Sequence, residues 1–260
     1  MTGIWTVIWA EGLKVRKSRM LWLSVVAAVF IAAMLGVSVY ISNNPGMASK
    51  LGLLGTKSSM VQNADWPDYL GLLTDSMAAL GLIGFGFVAS WMFGREYSDR
   101  TVKDLLALPF PRSYIVIAKL VVGAAWGLLL SLVLLITALI VGGLAGLSGG
   151  SASIILNGSM VFGMTMLMTL LVSTPVAFFA SYGRGYLPPI GFAIITLIAG
   201  QFIGTVGLGP YFPWAIPGLY SVAQMSGGLP PGPASYILLA LTGISGTAIS
   251  LAWWRFADQH

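Results

Sequence analysis

The sequence predicts an all-α membrane protein: six transmembrane helices preceded by an N-terminal amphipathic interfacial helix, with a short cytoplasmic helix between spans two and three and short re-entrant elements before span six. Three observations predict it. Of the 260 residues, 57% are hydrophobic and only 8% charged, and the mean hydropathy is +0.88, far from the composition of a soluble domain. The apolar residues run in six stretches, each near the roughly 20 residues that a spanning helix needs. The basic residues gather at the ends of those stretches, so a pI near 9.6 reads as topology and not as nucleic-acid binding. The chain has no cysteine, which excludes disulfides and thiolate ligands, and its one histidine is His260.

A single transmembrane domain, 1–260, is expected. Its first element is an interfacial helix over 3–18. Ile4, Trp5, Ile8, Trp9, Gly12, Leu13 and Val15 share one face at helical spacing, while Glu11, Lys14 and Lys17 point elsewhere, a pattern suited to lying on the membrane surface. A signal peptide is the rival reading. The apolar run that follows is too long for one, its basic residues begin only at Lys14, and no A-x-A site follows, so an uncleaved first helix is expected.

The spans are placed at about 21–42, 70–93, 114–141, 153–181, 187–207 and 235–254. No charge falls between Leu120 and Gly183, so the turn between spans three and four rests on Gly142, Gly143, Gly146, Gly149, Gly150 and adjoining serines. Span three is longer than a bilayer requires, which implies tilt or an extension beyond the membrane. Pro175 kinks span four. The GxxxG pairs Gly123/Gly127, Gly142/Gly146 and Gly200/Gly204 let helices approach closely and are candidates for a dimer contact. Trp22, Trp91, Trp126, Trp253 and Trp254 read as interfacial belts or lipid-facing aromatics.

With these spans, 11 of the 13 basic residues fall on one side, and only Lys50 and Lys57 on the other. The positive-inside rule makes that side cytoplasmic, with both termini on it, and places the chain as a multi-pass protein of the cytoplasmic (inner) membrane.

The most informative loop is Phe93 to Lys119, which holds eight of the 21 charged residues. Thr101 followed by Asp104 resembles a capping box, and Pro109 and Pro111 end any helix begun there. A helix over about 102–108 would carry Leu105, Leu106 and Leu108, apolar residues that topology alone does not call for. A protein partner is the better explanation.

At these residues the chain resembles the permeases of the type-2 exporter class of ABC transporters. The shared pattern is an aromatic-rich end of span two, an Arg-Glu pair, a polar spacer, Thr, a Leu-Leu-x-x-Pro turn, Arg, and a Lys opening span three. Arg95, Glu96, Thr101, Leu105, Leu106, Pro109, Arg112 and Lys119 occupy those positions, with Asp99, Arg100 and Asp104 among them. WAEGLKVRKSRMLWL, holding Trp9, Glu11 and Lys14, is similar to the family's approach to span one.

The resemblance implies a permease subunit that pairs with a second copy of itself and receives work from separate ATPase subunits. Force would enter through the helix near Thr101 to Leu108 and through the interfacial helix with Trp5, Trp9, Glu11 and Lys14. This chain would bind no cofactor; ATP and Mg would sit on the partner ATPase. The cargo implied is amphipathic or hydrophobic, an antibiotic-like small molecule or peptide moved outward across the membrane by a path between the two copies, with membrane lipid as a further partner, as in small antibiotic or bacteriocin export and immunity permeases. Lipid, glycan and cofactor-biogenesis cargoes remain alternatives.

The residues agree that the chain has no ATP site of its own: the nearest approach to a Walker A loop, GLLGTKSS from Gly52, has Thr56 where the lysine should follow glycine. An ion-driven secondary transporter is the second reading, for which Asp75 is the one intramembrane acid available; placed at the external N-terminus of span two it is favoured by the helix dipole instead. Asn157 and Gln201 could line a path. An intramembrane enzyme fares worst, because H-E-x-x-H and paired membrane aspartates are missing and Lys119 reads as an anchor at a span entrance.

The last external segment, about 208–234, has six prolines, no charge, and the aromatic residues Tyr211, Phe212, Trp214 and Tyr220. So much apolar surface predicts elements that dip into the outer leaflet or pack over the mouth of the bundle, with Gly218 to Ser226 as a half-helix. These aromatics join Asp75, Asn157 and Gln201 as candidate pathway residues. No metal site is expected.

Overall fold

The computed structural model describes residues 3–44, 64–102, 105 and 109–256. Helix α1 covers Gly3–Arg16, and α2 (Arg19–Ser42) is span one. Span two is α3 (Trp66–Ser98), span three is α4 (Arg112–Leu144), and span four is divided into α5 (Ala152–Ser173) and α6 (Pro175–Tyr182). Span five is α7 (Leu187–Thr205), the short helix α8 covers Ile216–Ser226, and span six is α9 (Pro233–Phe256). Six of these segments are long and apolar enough to cross a membrane. Among the described residues the chain is all helix and turn, as predicted.

Span two is the axis of the bundle. It packs against spans three, four and five and against α8, whereas span one leans on span three and touches span two little. Its 33 residues extend beyond the predicted 70–93 at both ends. At the start, Asp65 accepts from the Asp68 N–H at 3.1 Å and Asp68 returns a bond to the Asp65 N–H, a reciprocal cap in which Asp replaces the usual Glu. At the finish, helix continues through Arg95 and Glu96 because their charges have partners, described below.

This longer helix corrects the reading of Asp75. It is nine residues inside α3, about 14 Å along the axis from Trp66 at 1.5 Å per residue, and so is not held by a helix N-terminus. The turn after span three is built by Gly146 and Gly149, both at positive φ (67° and 73°), and Ser151 caps α5 by accepting from the Ile154 N–H.

The break in span four falls at Pro175. Thr174 Oγ1 contacts the carbonyls of Leu171 at 2.9 Å and Gly243 at 3.0 Å, so the freed carbonyl of the kink and the backbone of span six share one hydroxyl. Gly246 faces the same kink, its Cβ position only 2.6 Å from Pro175 N.

Three apolar clusters hold the bundle together. One, at the basic end, joins Val7 and Val15 of α1 to Trp91, Phe93, Val116, Trp126 and Trp254. Trp91, Trp126 and Trp254 are therefore buried, not lipid-facing: Trp91 and Trp126 meet edge to face at 5.3 Å, and the Trp254 indole donates to Ser181 Oγ. Trp22 is exposed, as its reading requires. A second cluster surrounds Tyr69 at the opposite end. The phenol of Tyr69 is fully buried and donates to the Ala138 carbonyl at 3.0 Å; Tyr69→Phe should cost about 0.5–1.5 kcal/mol in thermal unfolding, with no change in helix content by circular dichroism. A third cluster lies under α8.

At least one glycine of each GxxxG pair is spent within the chain, whereas Gly146 and Gly204 meet nothing within 4 Å. Gly127 abuts Phe85, Gly142 abuts Trp66 and Tyr69, and Gly200 abuts the Trp214 backbone.

Candidate functional site

The basic end of the bundle carries the densest chemistry. Helix α1 lies across span three with Val7, Glu11 and Val15 buried, residues four apart and so on one face. Trp5 and Trp9 point away and are 70% and 67% exposed. Glu11, expected on the polar face with Lys14 and Lys17, instead points into the protein.

Its partner is Lys119. Two turns inside span three, Lys119 is 1% exposed, and its three ammonium donors meet three acceptors: Glu96 Oε1 at 2.9 Å, Glu11 Oε2 at 3.2 Å and the Met92 carbonyl at 2.8 Å. It is a buried tie and not the anchor that its position at a span entrance suggested. Lys14 completes the group, bonding Glu11 Oε1 at 2.7 Å and Glu96 Oε1 at 2.8 Å. Glu96 Oε2 accepts from the Thr101 hydroxyl at 2.8 Å.

Two carboxylates and two ammonium groups thus close a neutral cluster that joins α1, the last turn of span two and the second turn of span three. Charges can stay ionised at this depth because each is paired and hydrogen-bonded. Burial pulls the Lys14 ammonium down, but Glu11 and Glu96 outweigh it and hold its pKa above the ordinary value. A raised lysine contributes stability that is fully present below its unfolded pKa, roughly 10.4, and is lost as pH rises through the folded value. Through Lys14 the cluster therefore does not titrate near neutral pH.

The chain leaves span two through a Schellman turn. The Thr101 N–H bonds the Glu96 carbonyl at 2.9 Å and the Arg100 N–H that of Tyr97 at 3.2 Å, with Arg100 in the left-handed region at φ 58° where glycine is usual. Thr101 is held twice over, by its backbone and by its hydroxyl on Glu96. Its carbonyl accepts from the Leu105 N–H at 3.0 Å, so a helical turn does begin at Thr101.

Asp104, Leu106 and Leu108 lie outside the described residues. Leu105 is half-buried against the chain's own apolar cluster, so its character is explained by packing and does not by itself require a partner. Asp99 pairs with Arg95 at 3.0 Å on the surface, and Arg95 stands over the Trp91 ring. Pro109 follows the turn, exposed, and Arg112 opens span three, its guanidinium 3.5 Å from the Trp254 carbonyl.

At the opposite end, the candidate pathway residues divide. Asp75, Gln201 and Trp214 line one cavity of about 300 Å³ between spans two and five and α8. The Ser221 hydroxyl donates to Asp75 and the Trp214 indole to the Val172 carbonyl at 2.9 Å. Phe212 stacks obliquely on Trp214, and Tyr220 packs in the cluster beneath α8. Tyr211 and Asn157 are exposed and line neither this cavity nor the cluster.

Sequence reasoning named Glu11 as a residue of the interfacial helix but put it on the polar face, and it missed the depth of Lys119. The signal was there: Val7, Glu11 and Val15 recur at four-residue intervals, and Glu11 is the sole acid before Asp65.

Comparison with known proteins agrees with this architecture. A sequence model of the family described as ABC-2 family transporter protein matches residues 7–200, which takes in most of α1, the ion cluster, spans one to four and most of span five. The bacitracin transport permease protein BCRB of Bacillus licheniformis is 25% identical over 181 residues, 70% of this chain and 86% of that protein. The chain belongs to the ABC-2 family of transporter proteins and is a multi-pass membrane permease of that family.

Proposed function

We propose that the chain is the membrane half of an ATP-driven exporter, working as a pair of copies with separate ATPase subunits and moving an amphipathic, antibiotic-like molecule outward. The observation that carries this reading is the buried cluster of Glu11, Lys14, Glu96 and Lys119. It fastens the surface helix α1 and the Thr101 turn to the two spans that meet there, so a push on either element is delivered to both spans. The 11 basic residues that the sequence puts on this side support a cytoplasmic location for it by the positive-inside rule, and an ATPase subunit would sit there.

Arg95, Asp99, Arg100 and Thr101 present the surface on which the partner would bear, and ATP and Mg belong to that partner. The bacitracin permease among the relatives supports an antibiotic-like cargo, and the cavity at Asp75, Gln201 and Trp214 offers it an exit.

The test is cargo-stimulated ATP hydrolysis by the complex of permease and ATPase in liposomes. Asp99→Lys with Arg100→Glu, which reverses exposed charges beside the turn, should lower stimulation by a factor of roughly 5 or more while membrane insertion stays intact. Unchanged stimulation would move the contact elsewhere. Purification without any nucleotide-binding protein, together with proton- or sodium-driven flux, would overturn the reading entirely.

A further inference from the structure

Between spans one and two runs a groove that the exporter reading does not use. Its floor is span three, and its walls separate because span one packs on span three and scarcely on span two. The deep part, about 410 Å³, is apolar, lined among others by Leu23, Ala27 and Ile31 from span one and by Leu80, Gly84 and Phe87 from span two. At the basic end it meets a second cleft of about 540 Å³, lined by Lys14, Lys17, Arg19, Trp91 and Arg95, with no acidic residue among its walls. Met20 lines both.

The two clefts lie along one helix face. Leu80, Gly84, Phe87, Trp91 and Arg95 recur at three- and four-residue intervals, which brings them into one row. The charges of the mouth are unequal. Lys14 and Arg95 are paired with acids, whereas Lys17 and Arg19 form no ion pair among the described residues. The N-terminus of span one, capped by Ser18, adds its positive dipole end to them.

The length is that of one leaflet. From Leu80 to Arg95 the row measures about 22 Å at 1.5 Å per residue, and half of a bilayer with its headgroup region is about 20–22 Å.

We infer that this groove binds an anionic phospholipid of the leaflet at the basic end, its phosphate between Lys17 and Arg19 and one acyl chain along the row from Phe87 to Leu80. Charge complementarity at the mouth selects the headgroup, and the apolar walls take the chain. The lipid fills the gap between the two spans and covers a face that the protein leaves open.

The experiment uses the full chain in nanodiscs of mixed phosphatidylglycerol and phosphatidylcholine, released for native mass spectrometry. The wild type should retain phosphatidylglycerol in preference. Replacing both cations (Lys17→Gln, Arg19→Gln) should lower that preference roughly 25-fold, about fivefold for each cation near a membrane surface.

Gly84→Phe acts on the other half of the site. A Cβ at Gly84 meets nothing within 4 Å, and Gly84 lines the groove, so the substitution puts a ring in the space the acyl chain would take. Total lipid retained should fall several-fold while the headgroup preference of the remainder persists. Equal retention of the two lipids by the wild type, or an unchanged preference after the double replacement, overturns the inference. So does a Gly84→Phe protein that keeps its lipid and loses self-association, which would make the groove a contact between copies.

Discussion

Replacing Lys119 with Met is expected to be the most damaging single change in the chain. It leaves Glu11 and Glu96 facing each other within the bundle with Lys14 as their one cation, and removing one member of a buried ion group costs about 3–5 kcal/mol. The Met92 carbonyl loses its side-chain donor as well. The measurable result is a lowered thermal transition and poor accumulation in the membrane.

Adding Glu96→Gln restores charge balance, since Glu11 and Lys14 remain as a pair at 2.7 Å. Most of the stability should return in the double variant, and on the proposed function cargo-stimulated ATP hydrolysis should not, because α1 is no longer tied to both spans. A Lys119→Met protein as stable as the wild type would refute the cluster itself. Full coupling in the double variant would refute its role in transmission.

The second large effect is expected at Gly246. Its Cβ position lies 2.6 Å from Pro175 N and from Thr174 Oγ1, and a proline nitrogen cannot swing aside as a side chain does. Gly246→Leu must push span six off the kink in span four and break the Thr174 contact to the Gly243 carbonyl. Overpacking of this kind costs about 1–3 kcal/mol, more where backbone opposes backbone. Gly246→Ala should show a smaller loss, and Gly84→Ala, where space is open, none. Thermal unfolding of the three variants in one detergent gives the ranking; equal stability of Gly246→Leu and wild type would contradict the packing of α6 on α9.

The number of spans and the all-helical class were legible because hydropathy and charge placement are properties of the sequence alone. Span one and span five lie within two residues of their expected limits. Span two was read too short at both ends because charge was taken as the limit of the helix, whereas Asp65 and Asp68 are its cap and Arg95 and Glu96 its last turn.

The site was half legible. Arg95 to Arg112 stands out locally as a pattern, and Glu96 and Thr101 within it belong to the ion cluster. What a linear reading could not supply was pairing: Glu11 and Lys119 are 108 residues apart, and each alone looks like an ordinary residue at a helix end. The buried tryptophans were misplaced for the same reason, since an indole next to a span end looks alike whether lipid or another helix covers it.

Span two is gripped by the ion cluster at one extremity and reaches Trp66 at the other. From Glu96 to Trp66 is about 45 Å of stiff rod at 1.5 Å per residue. Pivoting at the cluster, a tilt of about 5° sweeps the far end through about 4 Å, the width of a hydrocarbon chain, by the same geometry. Leverage of this kind needs a fulcrum that does not slip, and apolar contacts slide more readily than four charges locked by hydrogen bonds of 2.7 to 3.2 Å. On the proposed function, the same tilt would carry Asp75, 21 residues from Glu96, through about 3 Å, a displacement felt at the far cavity while the basic end stays packed.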